Sequence, residues 1–112
     1  MPRKSNLKVE CVVDESKLLN LFWEGIGEQL NFENPESVFN KAKKLLTDSK
    51  DKGVATNHGA ITRIFACVYV ANVICREGHT QRTIADLGGV TPNTIGLISE
   101  EIGSGLDIRH MW

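Results

Sequence analysis

The stretch that most constrains this chain is residues 60–75, Ala-Ile-Thr-Arg-Ile-Phe-Ala-Cys-Val-Tyr-Val-Ala-Asn-Val-Ile-Cys. At helical spacing Ile61, Ile64, Phe65, Val68, Ala71 and Cys75 fall on one face. Ala66, Val70, Val73 and Ile74 make the opposite side apolar as well. A helix that is apolar nearly all round belongs in the middle of other helices. At about 1.5 Å per residue it reaches about 24 Å, once across a small domain. It is too short, and too interrupted by Thr62, Arg63 and Asn72, to span a bilayer. Its β-branched residues would suit a buried strand, but strands seldom run this long. A chain of 112 residues has room for one core and not for two. The expectation is a single all-α domain built around this helix.

The flanking segments supply its neighbours. Asp14 is placed to cap a first helix that runs to about Leu30, with Leu18, Leu19, Phe22, Ile26 and Leu30 as its apolar stripe and Trp23 at the edge. Gly25 and Gly27 either weaken that helix, by up to about 1 kcal/mol each relative to alanine, or allow a neighbouring helix to approach. Asn34 as cap, Pro35 at the first helical position and Glu36 in the first turn open a second helix. Its buried face is Val38, Phe39, Ala42, Leu45 and Leu46, and residues 48–58 follow as a polar connection. Lys41, Lys43, Lys44 and Lys50 gather outside and toward the C-terminus, where a solvated face suits the helix dipole. The sharper reading makes Lys41, Lys43 and Lys44 candidate phosphate contacts. Residues 1–13 form a leader with Arg3, Lys4 and Lys8, either solvated and frayed or a basic arm that touches phosphate.

The most specific local pattern lies in residues 80–102. Gly78 is placed to close the central helix in the left-handed region. A short helix over 80–87 carries Ile84, Ala85 and Leu87, and a tight turn follows at Gly88-Gly89-Val90. Thr91 as cap and Pro92 at the first helical position then open a helix that buries Ile95, Ile98 and Ile102. Two short helices around a glycine-containing turn are a helix-turn-helix, a pattern also found in helix hairpins that never touch DNA. Ala85 is small enough for the crossing, and Val90 plugs the turn. Gly103-Ser-Gly105 ends the last helix, and a tail over 104–112 folds back through Leu106, Ile108 and Trp112. The domain proper is residues 14–103.

Other classes find little support. The net charge of -1 neither draws nor repels nucleic acid, so local charge has to carry that question. Cys11, Cys67 and Cys75 form no C-x-x-C pair, which argues against a zinc ribbon or a disulfide framework; Cys67 and Cys75 read as small buried hydrophobes. His58, His79 and His110 lack metal-ligand spacing. No nucleophile with a paired base, no carboxylate pair and no phosphate loop is visible, so the expectation is a non-catalytic protein without metal or cofactor. Charged residues, not an apolar run, follow Met1-Pro-Arg-Lys-Ser-Asn6. That points to an intracellular protein, cytoplasmic in a prokaryote and nuclear in a eukaryote.

Three stretches carry a family resemblance: Ala66-Cys-Val-Tyr-Val-Ala-Asn72, Thr80-Gln-Arg-Thr-Ile-Ala-Asp86 and Gly89-Val-Thr-Pro-Asn-Thr-Ile95. With Ala42-Lys-Lys-Leu-Leu46 and a span of about residues 18–102, the chain resembles one cyclin-like repeat of transcription factor IIB and its archaeal counterpart, most of all the second repeat. The resemblance implies a five-helix cyclin-like domain ending in a helix-turn-helix. It also implies binding to promoter DNA next to a TATA element, together with TATA-binding protein, and recruitment of RNA polymerase. By motif the base-facing positions fall on Asn93 and Gly96, with Thr91, Thr94 and Leu97 nearby, while Thr80, Gln81 and Arg82 lie near the phosphates. Two departures stand out. Gly96 replaces an arginine common in the family, the usual reader of guanine. Residues 78–102 hold one basic residue, Arg82, against Asp86, Glu100 and Glu101. A cyclin-like adaptor that receives a protein in the groove beside the central helix is the competing expectation.

Overall fold

The computed structural model describes residues 15–112; the leader, the Asp14 cap and Cys11 lie outside the described residues. Five helices follow in order: α1 Glu15–Leu30, α2 Pro35–Lys52, α3 Ala60–Ile74, α4 Gln81–Gly88 and α5 Pro92–Gly105, then a 3-10 turn over Arg109–Met111. Helix α3 packs against each of the other four. The fold is the all-α cyclin-like arrangement with a central apolar helix.

The buried part of α3 is its middle, where Ile64, Phe65, Ala66, Cys67, Val68, Val70 and Ala71 are enclosed. Its ends are not. Ile61, expected on the buried face, is 47% exposed, and Val73, Ile74 and Cys75 are half-buried. Of the three polar residues that interrupt the apolar run, Thr62 is half-buried, while Arg63 and Asn72 are sunk into the core. Arg63 is 5% exposed, ion-paired with Glu15 of α1, and its Nη2 donates to Ser49 Oγ of α2 at 3.2 Å. A guanidinium taken out of water needs such partners, and this one ties three helices at one point.

Four helices end in the same way, with a left-handed residue and paired 6→1 and 5→2 hydrogen bonds. Helix α2 continues into the stretch read as a polar connection, as far as Lys52, because Ser49 faces inward and is buried. It ends at Gly53, whose N–H donates to Lys50 O while Val54 N–H donates to Ser49 O. Helix α3 ends at Arg76 (φ 61) and not at Gly78, with Glu77 N–H donating to Asn72 O. Gly89 closes α4, and Asp107 (φ 55) closes α5. Gly103 is therefore no stop signal. A β-carbon there would lie 2.7 Å from Arg109 Cγ and 2.8 Å from the Trp112 ring, so it is where the tail packs back. Leu106, Ile108 and Trp112 do fold onto the core.

Two local readings need correction. Asn34 stands at the cap position of α2, but its side chain makes no cap bond. Glu77, from the far end of α3, accepts from Glu33 N–H at 2.9 Å and Asn34 N–H at 3.0 Å instead. Among the described residues Gly25 and Gly27 have nothing within 4 Å of a built β-carbon, so no described helix approaches there.

Candidate nucleic-acid interface

Helices α4 and α5 are opened by the same chemistry. Thr80 Oγ1 accepts from Thr83 N–H at 3.1 Å, and Thr91 Oγ1 accepts from Thr94 N–H at 3.2 Å. Each satisfies a donor that has no partner inside its helix. Between them Gly89 takes φ 66, a conformation that glycine reaches without a β-carbon clash. Gly88 sits against α3, since a β-carbon there would meet the Phe65 ring at 2.6 Å. Ile84, Ala85, Ile95, Ile98 and Ile102 are fully buried, so the pair is pinned to the central helix as one unit.

This unit presents most of the expected residues on its open side. Thr80, Arg82, Thr91, Asn93 and Leu97 are exposed; Gln81, Thr94 and Gly96 are half-buried. The hydroxyls of Thr91 and Thr94 lie 2.7 Å apart and bond to each other, and that of Thr91 also caps the helix. Gln81, Asn93, Gly96, Leu97 and Glu100 line one concavity. A second groove, with Tyr69 and Val73 at its side, brings together Arg76, Thr80, Gln81, Arg82 and Pro92. Arg76 escaped the sequence reading, because only the left-handed turn after α3 carries it to Arg82.

The lysines lie elsewhere. Lys41 and Lys44 line a groove with Ile74, Leu106, Ile108 and Met111, at the C-terminal end of α5. Thr91 and Asn93 stand at the opposite end of that helix, about 20 Å away at about 1.5 Å per residue. Lys44 Nζ is 3.4 Å from Asp48 Oδ2, and Lys43 Nζ rests over the Phe39 ring at 5.4 Å from its centroid. The helix-turn-helix and the lysine strip therefore do not converge on one spot.

Two acidic residues of α5 have hydrogen-bonding partners. Glu100 Oε1 accepts from Arg109 Nη1 at 2.6 Å, and Glu101 Oε2 lies 2.6 Å from His58 Nε2. Buried Cys67 is chemically quiet: burial pushes its thiol up to about 12, against an opposing pull from Arg63 and a small push from Glu15. Among the described residues no helix is long and apolar enough to cross a membrane.

Residues 20–102 match the family model described as the transcription factor TFIIB repeat. Three similar proteins carry the name transcription initiation factor IIB. That of Methanosarcina mazei is 34% identical over 72 residues, 64% of this chain and 21% of its own length. That of Methanococcus aeolicus is 36% identical over 74 residues, 66% of this chain and 22% of its own length. That of Methanocaldococcus jannaschii is 34% identical over 74 residues, 66% of this chain and 11% of its own length. The chain thus spans about a fifth or less of these relatives. The family match runs from α1 through the helix-turn-helix, over the same helices that enclose α3, and the chain belongs to the transcription factor TFIIB repeat family.

Proposed function

We propose that this chain is a transcription initiation domain that binds promoter DNA next to a TATA element, together with TATA-binding protein, through α4 and α5. The observation that carries the reading is the exposed face of a rigid helix-turn-helix in a chain of this family. Asn93 and Leu97 project from α5, while Arg82 and Arg76 share the adjoining groove. Side chains near the N-terminus of the second helix are those that such a motif brings to base edges. The two arginines supply the phosphate contacts that give affinity. The proposed contact is with the major groove. A mobility-shift assay on a TATA-containing duplex, with and without TATA-binding protein, tests this. A ternary complex that weakens in Arg82→Ala supports it; no complex at low salt rejects it.

A second reading rests on a different surface. Leu21 is 74% exposed and lines a groove between α1, α3 and α4 with Phe22, Ile26, Phe65 and Leu87. An adaptor that docks protein there would bind with little dependence on salt, since such an interface releases few counterions.

A further inference from the structure

Gly96 looks like a loss, a position where an arginine could have read guanine and nothing does. Its surroundings give it another role. A β-carbon built on Gly96 would sit 3.1 Å from both Nε2 and Oε1 of Gln81. The Gln81 carboxamide, from the first turn of α4, therefore lies against α5 at Gly96, where a β-carbon would crowd it. Asn93 stands one turn earlier on α5 and lines the same concavity, with Leu97, 68% exposed, beside it. Two carboxamides and one aliphatic side chain thus converge on one open surface.

We propose that this surface reads A·T base pairs, with Gln81 reaching the major groove over α5 through the notch at Gly96. The proposal rests on the DNA-binding reading above and names what that site recognises. The chemistry discriminates among the four bases. A carboxamide offers one acceptor and one donor, the complement of adenine N6 and N7, and an apolar side chain meets the thymine methyl group. Guanine shows two acceptors, O6 and N7, which call for the paired donors of arginine or the ammonium of lysine. Among the described residues no cationic side chain lines this concavity. Cytosine offers only a donor at N4 and so meets half of a carboxamide, while the Glu100 carboxylate at the rim is paired through Oε1 with Arg109 at 2.6 Å. Arg82, in the neighbouring groove with Arg76, is left to the phosphates. Gln81 is then a base contact, not the phosphate contact that the family resemblance implies.

The test is selection from duplexes that carry a fixed TATA element beside a randomised flank, with TATA-binding protein present and the full chain as bait. The expected result is enrichment of A·T over G·C by roughly tenfold at two or three adjacent positions, the range of a good bidentate contact. Gln81→Ala loses the preference at one of these positions and keeps salt-dependent binding. Gly96→Ala keeps Gln81 and favours the helix, but crowds the carboxamide at 3.1 Å, and weakens the same preference. Gly96→Arg moves it toward G·C. Enrichment that survives unchanged in both Gln81→Ala and Gly96→Ala overturns the proposal and leaves the DNA-binding reading standing. So does wild-type enrichment of G·C. A wild-type chain that retains no duplex at low salt overturns both.

Discussion

The side chain of Asn72 holds the backbone of His79 on both sides: Nδ2 donates to His79 O at 2.8 Å, and Oδ1 accepts from His79 N–H at 3.0 Å. Asn72 is 1% exposed and lies near the end of α3, and His79 directly precedes the Thr80 cap of α4. This one carboxamide therefore sets where the helix-turn-helix starts relative to the central helix. Asn72→Ala removes both bonds and strands two backbone groups in a part-buried site. A loss of about 2–3 kcal/mol in urea unfolding is predicted. A loss below about 0.5 kcal/mol would mean that other contacts, such as the edge of the His79 ring on Phe32, suffice.

Glu77, not Asn34, caps α2. Glu77→Ala should lower stability by about 1 kcal/mol, the typical effect of losing a cap, because two N–H donors at a positive helix end lose their carboxylate. Asn34→Ala should change stability by no more than a few tenths, since its side chain caps nothing. Paired urea melts decide between them, and the reverse order would refute this assignment.

Glycines on the two helix faces should respond with opposite sign. Gly25→Ala and Gly27→Ala meet open space and should each stabilise by up to about 1 kcal/mol through helix propensity. Gly88→Ala places a β-carbon 2.6 Å from the ring of Phe65, itself only 4% exposed, and overpacking of this kind is destabilising by about 1–3 kcal/mol. Thermal melts of the three variants check the contrast; stabilisation by Gly88→Ala would contradict the close packing of α4 on α3.

Much of this fold is legible in the sequence because it is local. Periodicity places the five helices, and Thr80, Thr91 and Pro92 mark the helix-turn-helix through contacts within one turn. What escapes is what depends on a distant partner. Arg63 reads as an interruption until Glu15, 48 residues away, is seen beside it. The cap of α2 comes from Glu77, 43 residues beyond Asn34. Ile61 reads as core because it is apolar, though it sits in the first turn of α3, before the enclosed stretch begins. At the site, Asn93 and Leu97 are foreseeable from the motif. The Gln81–Gly96 contact and the Arg76–Arg82 groove arise only when two helices and a left-handed turn meet.

Cys67 provides a pH prediction. Its folded thiol is raised, mainly by burial, from 9.0 to about 12. Below about pH 9 both folded and unfolded chains keep the proton, and the contribution to stability is full. From 9 toward 12 the unfolded chain releases a proton that the folded chain retains, so stability falls by up to about 1.4 kcal/mol per pH unit. The stability gap between the wild type and Cys67→Ala should be constant from pH 6 to 8 and narrow above 9. Urea melts at pH 7 and pH 10 test this; a constant gap would contradict it.

The central claim concerns DNA, and its most direct test is the salt dependence of binding to a TATA-containing duplex in the presence of TATA-binding protein. The logarithm of the affinity should fall linearly with the logarithm of salt concentration, with a slope shallower by about 1 in Arg82→Ala. Lys41→Ala with Lys44→Ala, at the far end of α5, should leave that slope nearly unchanged. An affinity that is flat with salt, or unaltered in Arg82→Ala, would contradict the account and direct attention to the groove around Leu21 and Phe65.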